Sequence, residues 1–320
     1  MNTFPTLLKR EYWEHRGGFL WAPVIAGGIF LVFLLMAMLV GQAGMSEINI
    51  QIGALRLSEI TQNLDPAARA RIGAGIDVTL LTVAGQIGIV VGIVVFFYCL
   101  ACLYDERRDR SVLFWKSLPV SDRDTVLSKV VSALLVAPLI GVAAGIATGI
   151  GMLLLLGVYL AFHGANVFGL LFGAASPLKV ATMLLALVPL HAVWALPTVG
   201  WLMLCSVWAR SKPFLWAIAI PVGAGILVSW FDLMRTLSLP DGWFWRDVVA
   251  RLLLSVIPGS WLPLGKLEDI SIRGPEDFMR LTSLGNVYQL MLEPSLWIWA
   301  AIGAGMILLA IRLRRWRDEG

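Results

Sequence analysis

Residues 130–178 read VVSALLVAPLIGVAAGIATGIGMLLLLGVYLAFHGANVFGLLFGAASPL, 49 positions without one Asp, Glu, Lys or Arg. A helix that crosses about 30 Å of hydrocarbon at about 1.5 Å per residue needs about 20 apolar residues. The run holds one long span, which His163-Gly164-Ala165-Asn166 interrupts. The remainder of the run, Val167 to Ala175, is too short to cross and reads as an interfacial or re-entrant piece. Five further charge-free runs flank it: 17–46, 78–104, 180–209, 213–231 and 294–311. Each fits one crossing. The sequence predicts an all-α polytopic membrane protein, with a single domain over 1–320 and six spans near 19–41, 79–103, 130–161, 180–208, 213–231 and 295–312.

Composition agrees. Hydrophobic residues make up 58% of the 320, and charged residues only 14%, against about 25% in ordinary globular chains. With a mean hydropathy of +0.81, soluble enzymes, disordered scaffolds and secreted disulfide domains are excluded. The first span, Phe19 to Val40, exceeds the 7–15 apolar residues usual in a signal peptide and reads as an uncleaved anchor.

The positive-inside rule sets the expected orientation. With the N-terminus cytoplasmic, the inside segments hold 15 of the 25 Lys/Arg and 9 of the 21 acids. Their net charge is +6, against −2 outside, and Arg312, Arg314, Arg315 and Arg317 weigh most. Both termini are therefore expected in the cytoplasm. The basic residues sit beside helix ends, where anionic lipid headgroups attract them, so a nucleic-acid partner is not expected.

Two segments between the spans carry information. Phe4, Leu7, Leu8 and Tyr12 recur at helical spacing, with Lys9, Arg10, Glu14 and Arg16 on other faces, which predicts an amphipathic helix along the cytoplasmic headgroups. The 105–129 segment has 11 charged residues among 25, yet Val112, Leu113, Phe114, Trp115 and Leu118 form an apolar knob within it. An apolar knob with a charged rim suits docking into another protein's groove; a hairpin packed on its own helices is the other reading. Ser121-Asp122-Arg123-Asp124 reads as the N-cap of the helix that re-enters the bilayer.

The long segment 232–293 is expected outside. In it Val248, Val249, Leu252, Leu253 and Val256 line one side of an amphipathic helix lying on or dipping into the outer leaflet. Trp230, Trp243, Trp245 and Trp261 suit an aromatic belt. Within the spans, Gly141, Gly145 and Gly149 form a small-residue stripe for close helix approach, and Pro138, Pro189, Pro197 and Pro221 imply kinks.

Catalytic motifs are missing. The chain has no G-x-x-x-x-G-K-[ST] loop; Gly259 to Leu267 comes nearest, with the wrong spacing. There is no H-E-x-x-H and no serine nucleophile elbow. Cys99-x-x-Cys102 has no second thiol pair or nearby His to complete a metal set, and reads as small packing residues. His15, His163 and His191 fall at different depths, which excludes paired haem ligation. His191 is the ionisable residue expected deep in a span, either as a substrate or proton contact or as a polar tie between helices. Neither an intrinsic cofactor nor a metal is expected. A proton-coupled carrier and a membrane-embedded lipid-modifying enzyme are alternative readings of such a chain, although buried acids are scarce for a carrier.

Taken together, Leu7-Leu8-Lys9-Arg10-Glu11-Tyr12-Trp13-Glu14-His15-Arg16, the stretch from Glu106-Arg107 to Leu118-Pro119-Val120-Ser121, and the six-span plan with a large fifth connection are similar to one family. The chain resembles the permease subunits of ABC transporters of the type 2 exporter class. Members of that class often carry Gly-Thr after the Glu-Arg pair, where this chain has Asp109-Arg110-Ser111. The resemblance implies a connecting helix at the start and a coupling helix after span two that grips a cytosolic ATP-binding subunit. Phe114, Trp115, Leu118 and Pro119 would form its apolar contact, with Glu106 and Arg107 holding the loop's orientation. It also implies a second permease chain as partner in a homodimer, ATP bound by the partner subunit, export, and a bacterial cytoplasmic membrane.

Overall fold

The computed structural model describes residues 3–43, 65–109, 121–162, 168–173, 175–233, 242–262 and 274–317. The protein is an all-α bundle of six long apolar helices, the architecture of a multi-pass membrane protein. Its helices are α1 (Thr3–Glu14), α2 (Ala22–Ala43), α3 (Pro66–Ala101), α4 (Tyr104–Arg108), α5 (Asp122–Val131), α6 (Ala137–Phe162) and α7 (Phe168–Gly173). They continue with α8 (Pro177–Trp208), α9 (Pro213–Leu233), α10 (Ala250–Leu254), α11 (Pro275–Leu281), α12 (Leu284–Tyr288) and α13 (Pro294–Arg317). Spans one to six are α2, α3, α5 continued by α6, α8, α9 and α13. Proline opens α3, α8, α9, α11 and α13. Its fixed φ suits the first turn, and its missing N–H would have no partner there.

Two spans carry a wider π turn just ahead of a proline: Gly17–Trp21 before Pro23, and Ser132–Val136 before Pro138. A proline ring presses on the carbonyl four residues back and offers no N–H to it. Widening the preceding turn relieves both, and Ala22 and Ala137 donate five residues back, to the carbonyls of Gly17 and Ser132. Pro189, Pro197 and Pro221 lie inside α8 and α9.

Several helices outrun their charge-free runs. At 36 residues α3 is about 54 Å long, well beyond the hydrocarbon thickness. Its first turns carry exposed Arg69 and Arg71, and α11 packs along them. Buried Asp77 accepts a 2.8 Å hydrogen bond from the Ser176 backbone N–H and ties α3 to the start of α8. The short α7 occupies the stretch too brief to cross, with Leu171 buried against α3 and α6.

Glycines set the helix spacing. A Cβ on Gly141 would stand 2.8 Å from Val91, and one on Gly149 2.9 Å from Leu80, so the stripe on α6 pairs with α3. The tighter crossing is between α8 and α13, where a Cβ on Gly303 would stand 2.5 Å from the Leu196 carbonyl carbon. Gly200 faces the Gly303 carbonyl from the other side. The main core lies near this crossing and includes Phe19, Tyr98, Val126, Val199, Leu202 and Met203. Cys99 and Cys102 pack into the same core as free thiols.

The connection between spans five and six does not stay on the surface. A π turn over Trp245–Val249 and α10 run into the bundle, where Thr198 of α8 donates to the Arg251 carbonyl and accepts from the Ser255 N–H. The chain reverses at Pro258-Gly259, with Gly259 at φ +85° and a bond from the Ser260 N–H to the Ile257 carbonyl. Glycine takes such a φ without strain, and proline before it completes a type II turn. The turn seats on α3 because Gly88 and Gly92 leave room; a Cβ on either would stand 2.9 Å from Pro258 or the Val256 carbonyl. Trp230, Trp243 and Trp245 are exposed as a belt requires, but Trp261 is 9% exposed and packs beside Leu190, Trp194 and Leu296. The belt reading of Trp261 is corrected: the re-entrant turn carries it inside. Arg251 comes with it, its guanidinium 3.6 Å from the centre of the Trp194 ring.

At the α8–α13 crossing, Gly303→Ala is expected to lower stability by about 1–3 kcal/mol, the usual penalty of overpacking. Gly305→Ala, two positions on, meets no atom within 4 Å and should be neutral or slightly stabilising. Thermal unfolding of the purified variants in detergent checks the pair.

Candidate functional site: a buried charge node beside the charged loop

Helix α1 buries Leu7 and Glu11, one turn apart, against α5. Sequence periodicity finds the leucine, but a carboxylate on the same stripe runs against it. Glu11 is 1% exposed, and its Oε1 lies 2.8 Å from Lys129 Nζ of α5, which is 2% exposed. Tyr98 at the end of α3 donates its hydroxyl to the other Glu11 oxygen at 2.8 Å. His15 and Phe19 stack edge-on around the Tyr98 ring, at 4.7 and 4.9 Å between centres.

Lys129 also meets Glu106 of α4 at 3.0 Å, and Glu106 meets Arg314 of α13 at 2.9 Å. Arg314 continues to Asp122 at the start of α5, at 3.3 Å. Five charged groups thus join α1, α4, α5 and α13 at one end of the bundle. Taking such ions out of water costs several kcal/mol each, and close opposite charges offset this only in good geometry. Burial alone would raise the Glu11 carboxyl, but the Lys129 ammonium and hydrogen bonds from Lys129 and Tyr98 outweigh it and hold the group below the ordinary glutamate value.

Arg107 does different work. Its Nη2 donates to the carbonyls of Ser206 and Ala209 at 2.9 and 2.7 Å, capping the last turn of α8 where carbonyls lack helical partners. Its guanidinium lies 5.8 Å from the Tyr104 ring. The Ser206 hydroxyl donates to the Leu100 carbonyl at 2.7 Å and accepts from the N–H groups of Leu103 and Tyr104. The bend between α3 and α4 is therefore fixed to the end of span four. Ser121 caps α5 as the sequence indicates, accepting the Asp124 N–H at 3.1 Å.

Of the residues singled out in the sequence, Glu106 and Arg107 come together here. Phe114, Trp115, Leu118 and Pro119 lie outside the described residues. His191 lies elsewhere: it is buried on α8, about 22 Å along the helix from Ser206, with its ring 5.6 Å from that of Trp261. Sequence reading missed Glu11, Lys129 and Arg314 as a unit. The available signal was slight: Lys129 is the last charge before the 49-residue run, and Glu11 sits four residues after Leu7. Among the described residues, no group of three or more His, Cys, Asp and Glu is placed to hold a metal ion.

Lys129→Met is expected to destabilise the protein by about 3–5 kcal/mol, because Glu11 and Glu106 lose their shared cation while still buried. Adding Glu11→Gln should recover part of that loss, a coupling that a double-mutant cycle on thermal unfolding reads directly. The depressed Glu11 carboxyl stabilises the fold fully above about pH 4.3, the ordinary glutamate value. That contribution drains away as pH falls through the lower folded value, and Glu11→Gln should flatten this part of the stability profile. Compared with known proteins, the chain matches no family model, no curated sequence and no solved structure.

Proposed function

We propose that this chain is the membrane-spanning permease subunit of an ATP-driven exporter of the ABC type 2 class, working with a separate cytosolic ATPase. The observation that carries this reading is the setting of Glu106. The first turn of the charged loop is clamped by Lys129 and by Arg314 of span six. Exposed ion pairs contribute about 0–1 kcal/mol and yield easily, whereas a buried node moves as a unit. Force on the segment 110–120 would pass at once to spans two, three and six, and through Glu11 to α1.

In this reading the apolar knob of Phe114, Trp115, Leu118 and Pro119 enters a groove on the ATPase, and Glu106 and Arg107 keep the loop from turning on the bundle. Both termini face the cytoplasm of a bacterial cell, and two copies of the chain complete the transporter. ATP stays on the partner, which suits a chain without a phosphate-binding loop. The apolar interior favours a hydrophobic or amphipathic cargo.

The test is a gentle-detergent pull-down of the tagged chain from its native host, with mass spectrometry of what accompanies it. A stoichiometric soluble ATPase is expected, and Trp115→Ala with Leu118→Ala should release it. Arg107→Glu should insert normally and lose transport, since it replaces two hydrogen bonds to the α8 carbonyls with a negative charge. Recovery of intact chain without an ATPase in several detergents, or normal transport by the double variant, would overturn the reading.

A further inference from the structure

A cavity of about 270 Å³ lies between α3, α6 and α8, with the Pro258-Gly259 turn as a further wall. On α3 its lining runs from Leu81 to Val95, a rise of about 21 Å at 1.5 Å per residue. Its lining on α8 runs in parallel from Met183 to Ala195. The space is thus a narrow slot along the helices rather than a round pocket. Exposed Thr82 belongs to the lining, so the slot opens to the surface there.

Nearly all of the wall is apolar, and its polar groups are unequal. Thr82 and Thr282 spend their hydroxyls on the carbonyls of Val78 and Phe278, within their own helices. His191 lines the slot and is 7% exposed; its Nδ1 is closed off within the bundle and has no hydrogen-bond partner among the described residues. No acid among the described residues pairs with it, so the ring is a hydrogen-bonding group and not half of an ion pair. A buried water needs two to four polar partners, and this wall offers few. Apolar cavities of about 150 Å³ stay dry and take benzene. A slot nearly twice as large, but long and thin, suits a chain better than a ring system.

The geometry points to this slot as a binding site for a single alkyl chain that carries one uncharged hydrogen-bonding group, with His191 as its polar contact. Such a molecule meets the edge of the imidazole that lines the slot and fills apolar volume that otherwise forfeits packing. A resident lipid chain and a transported amphiphile share this chemistry. The assignment does not rest on the ATP-driven reading: it concerns one chain alone and stands or falls without an ATPase.

Gly85 supplies the test. It lines the slot, and a Cβ there meets no atom within 4 Å, so a larger side chain grows into empty space. The full chain, purified in a steroid-based detergent without alkyl chains, is labelled with a diazirine-bearing decanol, and adducts are mapped by mass spectrometry. Saturable labelling within 81–95 or 183–195, competed by decanol, is expected. Gly85→Leu should abolish it without lowering the melting temperature. Thr82→Phe, at an exposed position on the mouth, should reduce it even if the first variant folds poorly. His191→Phe should weaken competition by decanol several-fold while leaving competition by decane unchanged. Native mass spectrometry before labelling separates the sources: a retained membrane lipid marks a structural chain, and a species lost on ATP addition with the partner marks cargo, the slot standing in both cases. Unsaturable labelling spread over the exposed faces of α2 and α9, or wild-type labelling in both filled variants, would overturn the proposal.

Discussion

The ammonium group of Lys129, buried between Glu11 and Glu106, is the constraint on which one end of this protein depends. A buried lysine without partners would be costly enough to neutralise itself or to unfold its surroundings. Its two carboxylates come from positions 11 and 106, so α1 must lie across the end of span three and the turn after span two must fold back onto it. Arg314 then has to meet the free side of Glu106, which fixes the last turns of span six. Apolar side chains of similar volume would often hold such a site as firmly. What an ion network specifies and an apolar contact does not is register, because each charge has one place where it is paired.

Beyond the node, with Asp77 as an exception, the bundle is held by shape more than by charge. Spans two and three approach through Gly141, Gly145 and Gly149, and the re-entrant turn reaches span two through Gly88 and Gly92. Without interhelical water to expel, association in a bilayer relies on van der Waals contact, which small residues bring within range. The inserted turn also solves a backbone problem. Irregular chain at membrane depth is tolerated where protein satisfies its polar groups, and Thr198 does this for both Arg251 and Ser255. Arg251 itself, half-buried, lies over the face of Trp194, a cation–π contact of about 0.5–2 kcal/mol.

Hydropathy encodes only part of this architecture. The six spans, the short piece near α7 and the Ser121 cap were readable, because each depends on residues adjacent in sequence. The glycine stripe was readable as a contact surface, though not its partner. Glu11 was not, since a carboxylate on an apolar stripe becomes intelligible only when Lys129 and Tyr98 arrive from remote positions. Trp261 misled for a related reason: tryptophan suits both a headgroup belt and a packed interior, and the turn at Gly259 decides between them. The aromatic face that receives Arg251 belongs to Trp194, 57 positions away in the chain, a distance at which local periodicity gives no sign.

Span four connects the two regimes. Its last turn is capped by Arg107, the neighbour of Glu106 in the charge node, and is fixed to span two through Ser206. Its middle carries His191 and, one turn on, Trp194 beside the re-entrant turn. Pro189 and Pro197 flank His191, each removing one backbone hydrogen bond from the helix. A helix weakened at two points bends there before it breaks elsewhere. Displacement of its capped end would therefore appear as bending near His191, against a wall of the slot. The Gly200–Gly303 contact lies between the cap and Pro197 and leaves no room to slide. A contact so placed would serve as a fulcrum, by which a movement at Arg107 would be felt at His191.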